Sequence, residues 1–159
     1  MRIGISRCLL GEAVRYNGGH KRARQILDAA GPEVCWVPVC PEVECGLDVP
    51  REPMHLEGNP DSPRLVTVKT RIDLTDRMES WIASRLAELE KEHLFAFIFK
   101  SRSPSCGICD VPVYDASTGE ILSLGFGFFA HAFSARFGDI PTADENNAEK
   151  ELDFLMCGL

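Results

Sequence analysis

An α/β fold, one mostly parallel sheet flanked by helices, is the architecture this sequence predicts, on three observations. Short apolar runs at residues 2–6, 34–39 and 94–99 alternate with stretches of helical periodicity, the order that gives parallel strands with helices on their faces. Each run leads into a cysteine-bearing segment, with Cys8 after the first, Cys40 after the second and Cys106 after the third. No internal repeat and no linker interrupts the chain, so residues 1–159 are expected to form a single domain. In such folds ligands sit outside the carboxyl ends of the strands. Parallel pairing would therefore bring the three thiols to one edge of the sheet.

Residues 2–6 form the first expected strand. The loop after it carries Arg15-Tyr16-Asn17-Gly18-Gly19, whose glycines permit close backbone approach to a ligand. A helix is expected from His20 to Ala30, stopped by Gly31 and Pro32. The second strand runs from Val34 to Val39, and Pro38 within it indicates a sheet edge or a strand end. Residues 48–64, rich in proline and charge, read as an ordered surface excursion, and Leu65 to Val68 as a short strand. Thr75 reads as the N-cap of a helix that buries Met78, Trp81, Ile82, Leu86 and Leu89 at helical spacing.

After the strand at 94–99, Val111 to Tyr114 and Ile121-Leu122 are expected to pair as a hairpin. Phe126 to Phe137 reads as an apolar helix with Phe129, Phe133 and Phe137 on one stripe, which suits a core rather than a cofactor. A last polar helix is expected from Asp144 to Leu155.

The 159 residues are 45% hydrophobic, enough for a globular fold with a substantial core. A formal net charge of -7 disfavours nucleic acid as a bulk electrostatic partner. A local group of Arg7, Arg15, Lys21, Arg22 and Arg24 suits a small anionic ligand, although Lys21 and Arg24 read more simply as a solvated helix face. No run approaches the roughly 18 apolar residues of a membrane span, and no signal-like apolar segment follows Met1. These features lead to an expectation of a cytoplasmic protein with no membrane partner. In a reducing compartment, seven cysteines are more often metal-binding or catalytic than disulfide-bonded.

Three soft thiolates, Cys8, Cys40 and Cys106, suit zinc, Cu(I) or an iron–sulfur cluster. Three rather than four leave one metal position open, as a catalytic metal requires. Cys35 and Cys157 are expected to pack as small hydrophobes. Cys106-x-x-Cys109 and the Cys40/Cys45 pair also have thiol-pair spacing, so structural or redox thiols stand beside the open metal site as an equal reading. Glu42, two residues after Cys40, is a carboxylate placed to act as a base. Ser101, Ser103 and Ser105 offer hydroxyls for a substrate or for capping the turn. His20, His55, His93 and His131 show no grouping, and no nucleophile elbow, P-loop or dinucleotide fingerprint occurs.

Three motifs together resemble one bacterial family. Ser6-Arg7-Cys8-Leu9-Leu10-Gly11 with Val14-Arg15-Tyr16-Asn17-Gly18 is similar to its first signature. Pro38-Val39-Cys40-Pro41-Glu42 with Gly46-Leu47 and Pro50-Arg51 is similar to its second, and Lys100-Ser101-Arg102-Ser103-Pro104-Ser105-Cys106-Gly107 to its third. The family is that of the thiouracil desulfidases, long known as a domain of unknown function, and the resemblance runs from the first strand to about Gly138. It implies a [4Fe–4S] cluster held by Cys8, Cys40 and Cys106, Glu42 as the acid/base residue, and Ser101 assisting. Arg15, Arg102 and Ser103 are the expected substrate-binding residues.

The expected reaction is the non-redox desulfuration of a thionated nucleobase, a small molecule, to the oxo base and hydrogen sulfide. Two positions depart from the pattern: Cys45 stands where a glycine is expected, and Cys109 is an additional thiol. Either is a candidate fourth ligand, which would close the cluster. The alternative expectations are a non-catalytic iron–sulfur or zinc binding or sensing module, a Cys106/Cys109 thiol redox protein, and action on thiolated transfer RNA.

Overall fold

The computed structural model describes residues 1–151. Within it the apolar run at 94–99 yields a strand, Ala96–Phe99, buried along its whole length. Continuous burial of this kind belongs to a parallel strand covered on both faces. Numbering the elements along the chain, the first half comprises β1 (Arg2–Ser6), α1 (Arg7–Leu10), α2 (Arg24–Ala29), β2 (Cys35–Val39), α3 (Pro41–Glu44), β3 (Met54–Glu57), β4 (Arg64–Thr67) and α4 (Thr75–Leu89). One turn of 3₁₀ helix follows, Glu90–Glu92. The second half comprises β5 (Ala96–Phe99), β6 (Val111–Tyr114), β7 (Ile121–Gly125), α5 (Phe128–Arg136) and β8 (Thr142–Asp144).

The strands form two four-stranded sheets. The first has the order β2-β1-β5-β8 and is parallel throughout. Pro38 pairs with Ile5 on the edge strand β2, where its missing N–H faces no further strand. The second sheet, β4-β3-β6-β7, is mixed: β3 and β6 are parallel, while β3/β4 and β6/β7 are antiparallel. No helix among the described residues is long and apolar enough to cross a membrane.

Strand alternation sends Phe97 and Phe99 to one face of the parallel sheet and Ala96 and Ile98 to the other. The first face packs on α4, α5 and the second sheet. Phe97 and Phe99 stack at 4.2 Å and meet Phe133 at 4.8 and 5.6 Å, pairs worth about 0.5–1.5 kcal/mol each beyond their buried area. The ring of Phe97 occupies the space beside Gly4, where an added Cβ would lie 2.2 Å from it. The opposite face packs on α1, α2 and Ala148.

Several expectations need correction. The helix expected over His20–Ala30 begins only at Arg24, because the N–H groups of Lys21 and Ala23 are given to the carbonyls of Cys8 and Leu9. The excursion at 48–64 contains β3, whose ladders to β4 and β6 decide its state. Thr75 is the first helical residue rather than the cap. Its hydroxyl accepts from Leu65 N–H, and Asp73 Oδ1 accepts from Thr75 N–H at 2.9 Å. Trp81 and Phe137 are only partly buried against the core. The expected start of a helix at Asp144 is instead the end of β8, with helix found over 148–151; residues 152–155 and Cys157 lie outside the described residues. Cys35 is exposed rather than packed.

Candidate metal centre and active site

The chain passes from β1 out to β2 and returns across β1 to β5, so a crevice opens at the carboxyl ends of these strands. The cavity there has a volume of about 370 Å³, within the usual range for a small-molecule site. Cys8 reaches it from α1, Cys40 from the residue after β2, and Cys106 from the loop after β5. Glu42, Arg15, Ser101, Arg102 and Ser103 line the same cavity. These eight residues, three expected to hold a metal and five expected to act on or bind the substrate, are thus brought together. Arg7 and Lys21 also line it, so Lys21 stands at the cavity and not on a helix face. Cys45 and Cys109 do not line it. Cys45 is half-buried, its thiol donating to the Glu42 carbonyl, while Cys109 is exposed.

The three thiols are buried. Burial pushes Cys8 up to about 11, with Cys40 adding to the shift and Lys100 and Arg15 opposing it. Burial likewise raises Cys40, against the N–H of Val43, and raises Cys106, against a hydrogen bond from Ser6. In the metal-free chain they are thiols, and ligation would release their protons. Among the described residues no three Cys, His, Asp or Glu groups converge as they would around a single metal ion. A polynuclear cluster attaches its thiolates to separate irons and needs no such convergence. Three soft thiolates on one cavity are a donor set that suits an iron–sulfur cluster.

Glu42 sits in the four-residue helix α3, begun by Pro41 directly after Cys40. Its Oε2 accepts from Arg51 Nε at 2.8 Å and from Arg51 Nη2, and its Oε1 accepts from Ser105 Oγ at 3.0 Å. Ser103 and Ser105 hydroxyls lie 3.0 Å apart. Since Ser105 gives its one proton to Glu42, Ser103 is the donor between them. Glu44 accepts from Cys40 N–H at 2.8 Å and pairs with Arg85 at 3.2 Å, anchoring the Cys40 loop to α4.

On the other wall Ser101 Oγ donates to Glu145 Oε1 at 2.6 Å and accepts from Lys100 Nζ at 3.0 Å. Lys100 also pairs with Glu145 directly. Burial of Glu145 works against its charge, but hydrogen bonds from Lys100 and Ser101 outweigh it and hold the carboxyl below its ordinary value. Glu145→Gln is expected to cost stability above pH 4.5, the ordinary Glu value, and progressively less as pH falls through the lowered folded value. Melting curves of both proteins against pH check this, since equal losses at every pH would refute it.

Sequence reasoning assigned no role to Arg51, Lys100 or Glu145. Arg51 lies in the second motif and Lys100 in the third. Glu145 had no local signal, because the three-residue strand before it exists only through pairing with β5.

Fold and site together define a class: an α/β protein with three buried thiols and one carboxylate at the carboxyl edge of a parallel sheet. The sequence profile of the 2-thiouracil desulfurase family matches residues 3–145. The chain belongs to that family. It is 32% identical over 111 residues to the uncharacterised protein YbbK of Bacillus subtilis (strain 168), covering 66% of this chain and 72% of YbbK. It superposes on the solved [4Fe-4S]-dependent thiouracil desulfidase TudS with a TM-score of 0.74 and 27% identity, covering 99% of each chain.

Proposed function

We propose that this chain replaces the sulfur of a thiouracil-like base by oxygen, consuming one water and releasing one hydrogen sulfide with no net electron transfer. The observation that carries the reading is the gathering of Cys8, Cys40, Cys106 and Glu42 on one cavity in a member of this family. Cys8, Cys40 and Cys106 hold the cofactor, a [4Fe–4S] cluster like that named for TudS. When bound, it supplies a thiophilic Lewis acid that polarises the C=S bond.

Glu42 takes a proton from the water that adds to the thiocarbonyl carbon. Arg15 and Arg102 bind the carbonyl oxygen of the base or an attached phosphate, and Ser103, whose proton goes to Ser105, lines the substrate's side of the cavity. Ser101 assists by fixing Lys100 against Glu145, since its single proton is already given to Glu145. The substrate is a small molecule handled in the cytoplasm, and the net charge of -7 disfavours nucleic acid as a partner.

The test is sulfide release from 2-thiouracil and thiouridines by anaerobically prepared protein, with the oxo base quantified. Equal amounts of sulfide and oxo base without added reductant support the reading. A bound cluster with no sulfide release favours a binding or sensing module instead. Cys109→Ser is expected to leave both iron content and the rate unchanged, because Cys109 is exposed away from the cavity. Its loss would abolish a Cys106/Cys109 redox activity, so a dead variant would favour that rival.

A further inference from the structure

We infer that Arg51 is the positioning residue for Glu42, and that it occupies one carboxylate oxygen so that the other is left to take the proton; this rests on the role of Glu42 proposed above. The Arg51 side chain is 9% exposed and that of Glu42 13%. Nε and Nη2 of Arg51 both address Oε2. Nη2 also donates to Val14 O at 3.0 Å, and Nη1 to Asp48 O at 3.0 Å. The guanidinium is therefore held from three directions and cannot follow Glu42 if Glu42 turns.

A carboxylate has about four acceptor sites. Arg51 takes both on Oε2, and Ser105 takes one on Oε1. The remaining site is on Oε1, so a water deprotonated by Glu42 is received there. Helix α3 is a single turn, and a Glu side chain on it would otherwise sample several rotamers. Misplacement of a reacting group by about 1 Å costs on the order of 100-fold in rate. The backbone bond from Arg51 N–H to Tyr16 O, at 2.8 Å, does not depend on the side chain. The loop carrying Arg15 therefore keeps its anchor when the guanidinium is removed.

The experiment compares Arg51→Ala and Arg51→Lys with the wild type for kcat, KM, iron content and melting temperature, with and without added methylguanidinium. We expect kcat of Arg51→Ala to fall about 100-fold with KM changed less than about threefold. Iron content should hold, and methylguanidinium should restore part of the rate to Arg51→Ala but none to Glu42→Gln. Arg51→Lys, which keeps the charge without the fork, should retain the fold and fall in between. An unimpaired Arg51→Lys, or losses that track iron content and melting temperature with no rescue, would overturn the inference and leave Arg51 a purely structural residue. A wild type that releases no sulfide would overturn the role of Glu42 and this inference with it.

Discussion

Glu42→Gln is expected to lower sulfide release about a thousandfold while leaving the bound metal in place, in the middle of the range for loss of a general base. The amide is isosteric with the carboxylate. Its oxygen can still accept from Arg51, and the Ser105 hydroxyl can turn to accept from the amide nitrogen, so the contacts of α3 survive in altered polarity. What is lost is the capacity to hold a proton. The three thiols are untouched, since Glu42 lines the cavity without belonging to the thiol set. Steady-state rates and the visible spectrum, measured on one preparation, check the prediction. A variant within tenfold of wild type would show that water is activated by another group.

Gly127→Ala is expected to be the most damaging change outside the site. The N-terminus of α5 grips the Cys106 loop: Phe128 N–H donates to Pro104 O at 3.1 Å, Phe129 N–H to Ser105 O at 2.9 Å, and Gly127 N–H to Gly107 O at 2.9 Å. These bonds satisfy amides that a helix start leaves without intrahelical partners. At Gly127 an added Cβ would stand 2.5 Å from Ser105 C and 2.6 Å from Cys106 N, and both are backbone atoms that cannot swing aside. Helix and loop must separate. We expect a cost of about 2–3 kcal/mol, a fall in melting temperature of roughly 5–10 °C, and loss of iron, because Cys106 travels with the loop. A stable, iron-loaded Gly127→Ala protein would contradict this packing account.

The strand-end placement of Cys8, Cys40 and Cys106 was legible because apolar runs and the residues that follow them are local features, and parallel pairing supplies the convergence. The hairpin of β6 and β7 and the buried stripe of α4 were legible for the same reason. What was not legible depends on distant partners. β3 lies in a stretch whose composition reads as a loop, and becomes a strand by pairing with β4 and β6. β8 is three residues long and exists against β5 alone, so Glu145 could not be foreseen at Ser101. The roles of the two serines were likewise invisible. Ser101 spends its proton on Glu145 and Ser105 spends its own on Glu42, a difference that only the folded geometry sets. Cys35 shows the converse case, since a strand position implied burial, but edge strand β2 leaves it exposed.

We propose that the three strand-end thiols hold one iron–sulfur cluster. The measurement that tests it most directly is iron and acid-labile sulfide content after anaerobic purification, for the wild type and for Cys8→Ala, Cys40→Ala, Cys106→Ala, Cys45→Ser and Cys109→Ser. About four irons and four sulfides per chain are expected in the wild type and in the Cys45 and Cys109 variants, with loss in each of the other three. Zinc in place of iron, or iron that survives removal of Cys8, Cys40 or Cys106 and disappears with Cys45 or Cys109, would contradict it.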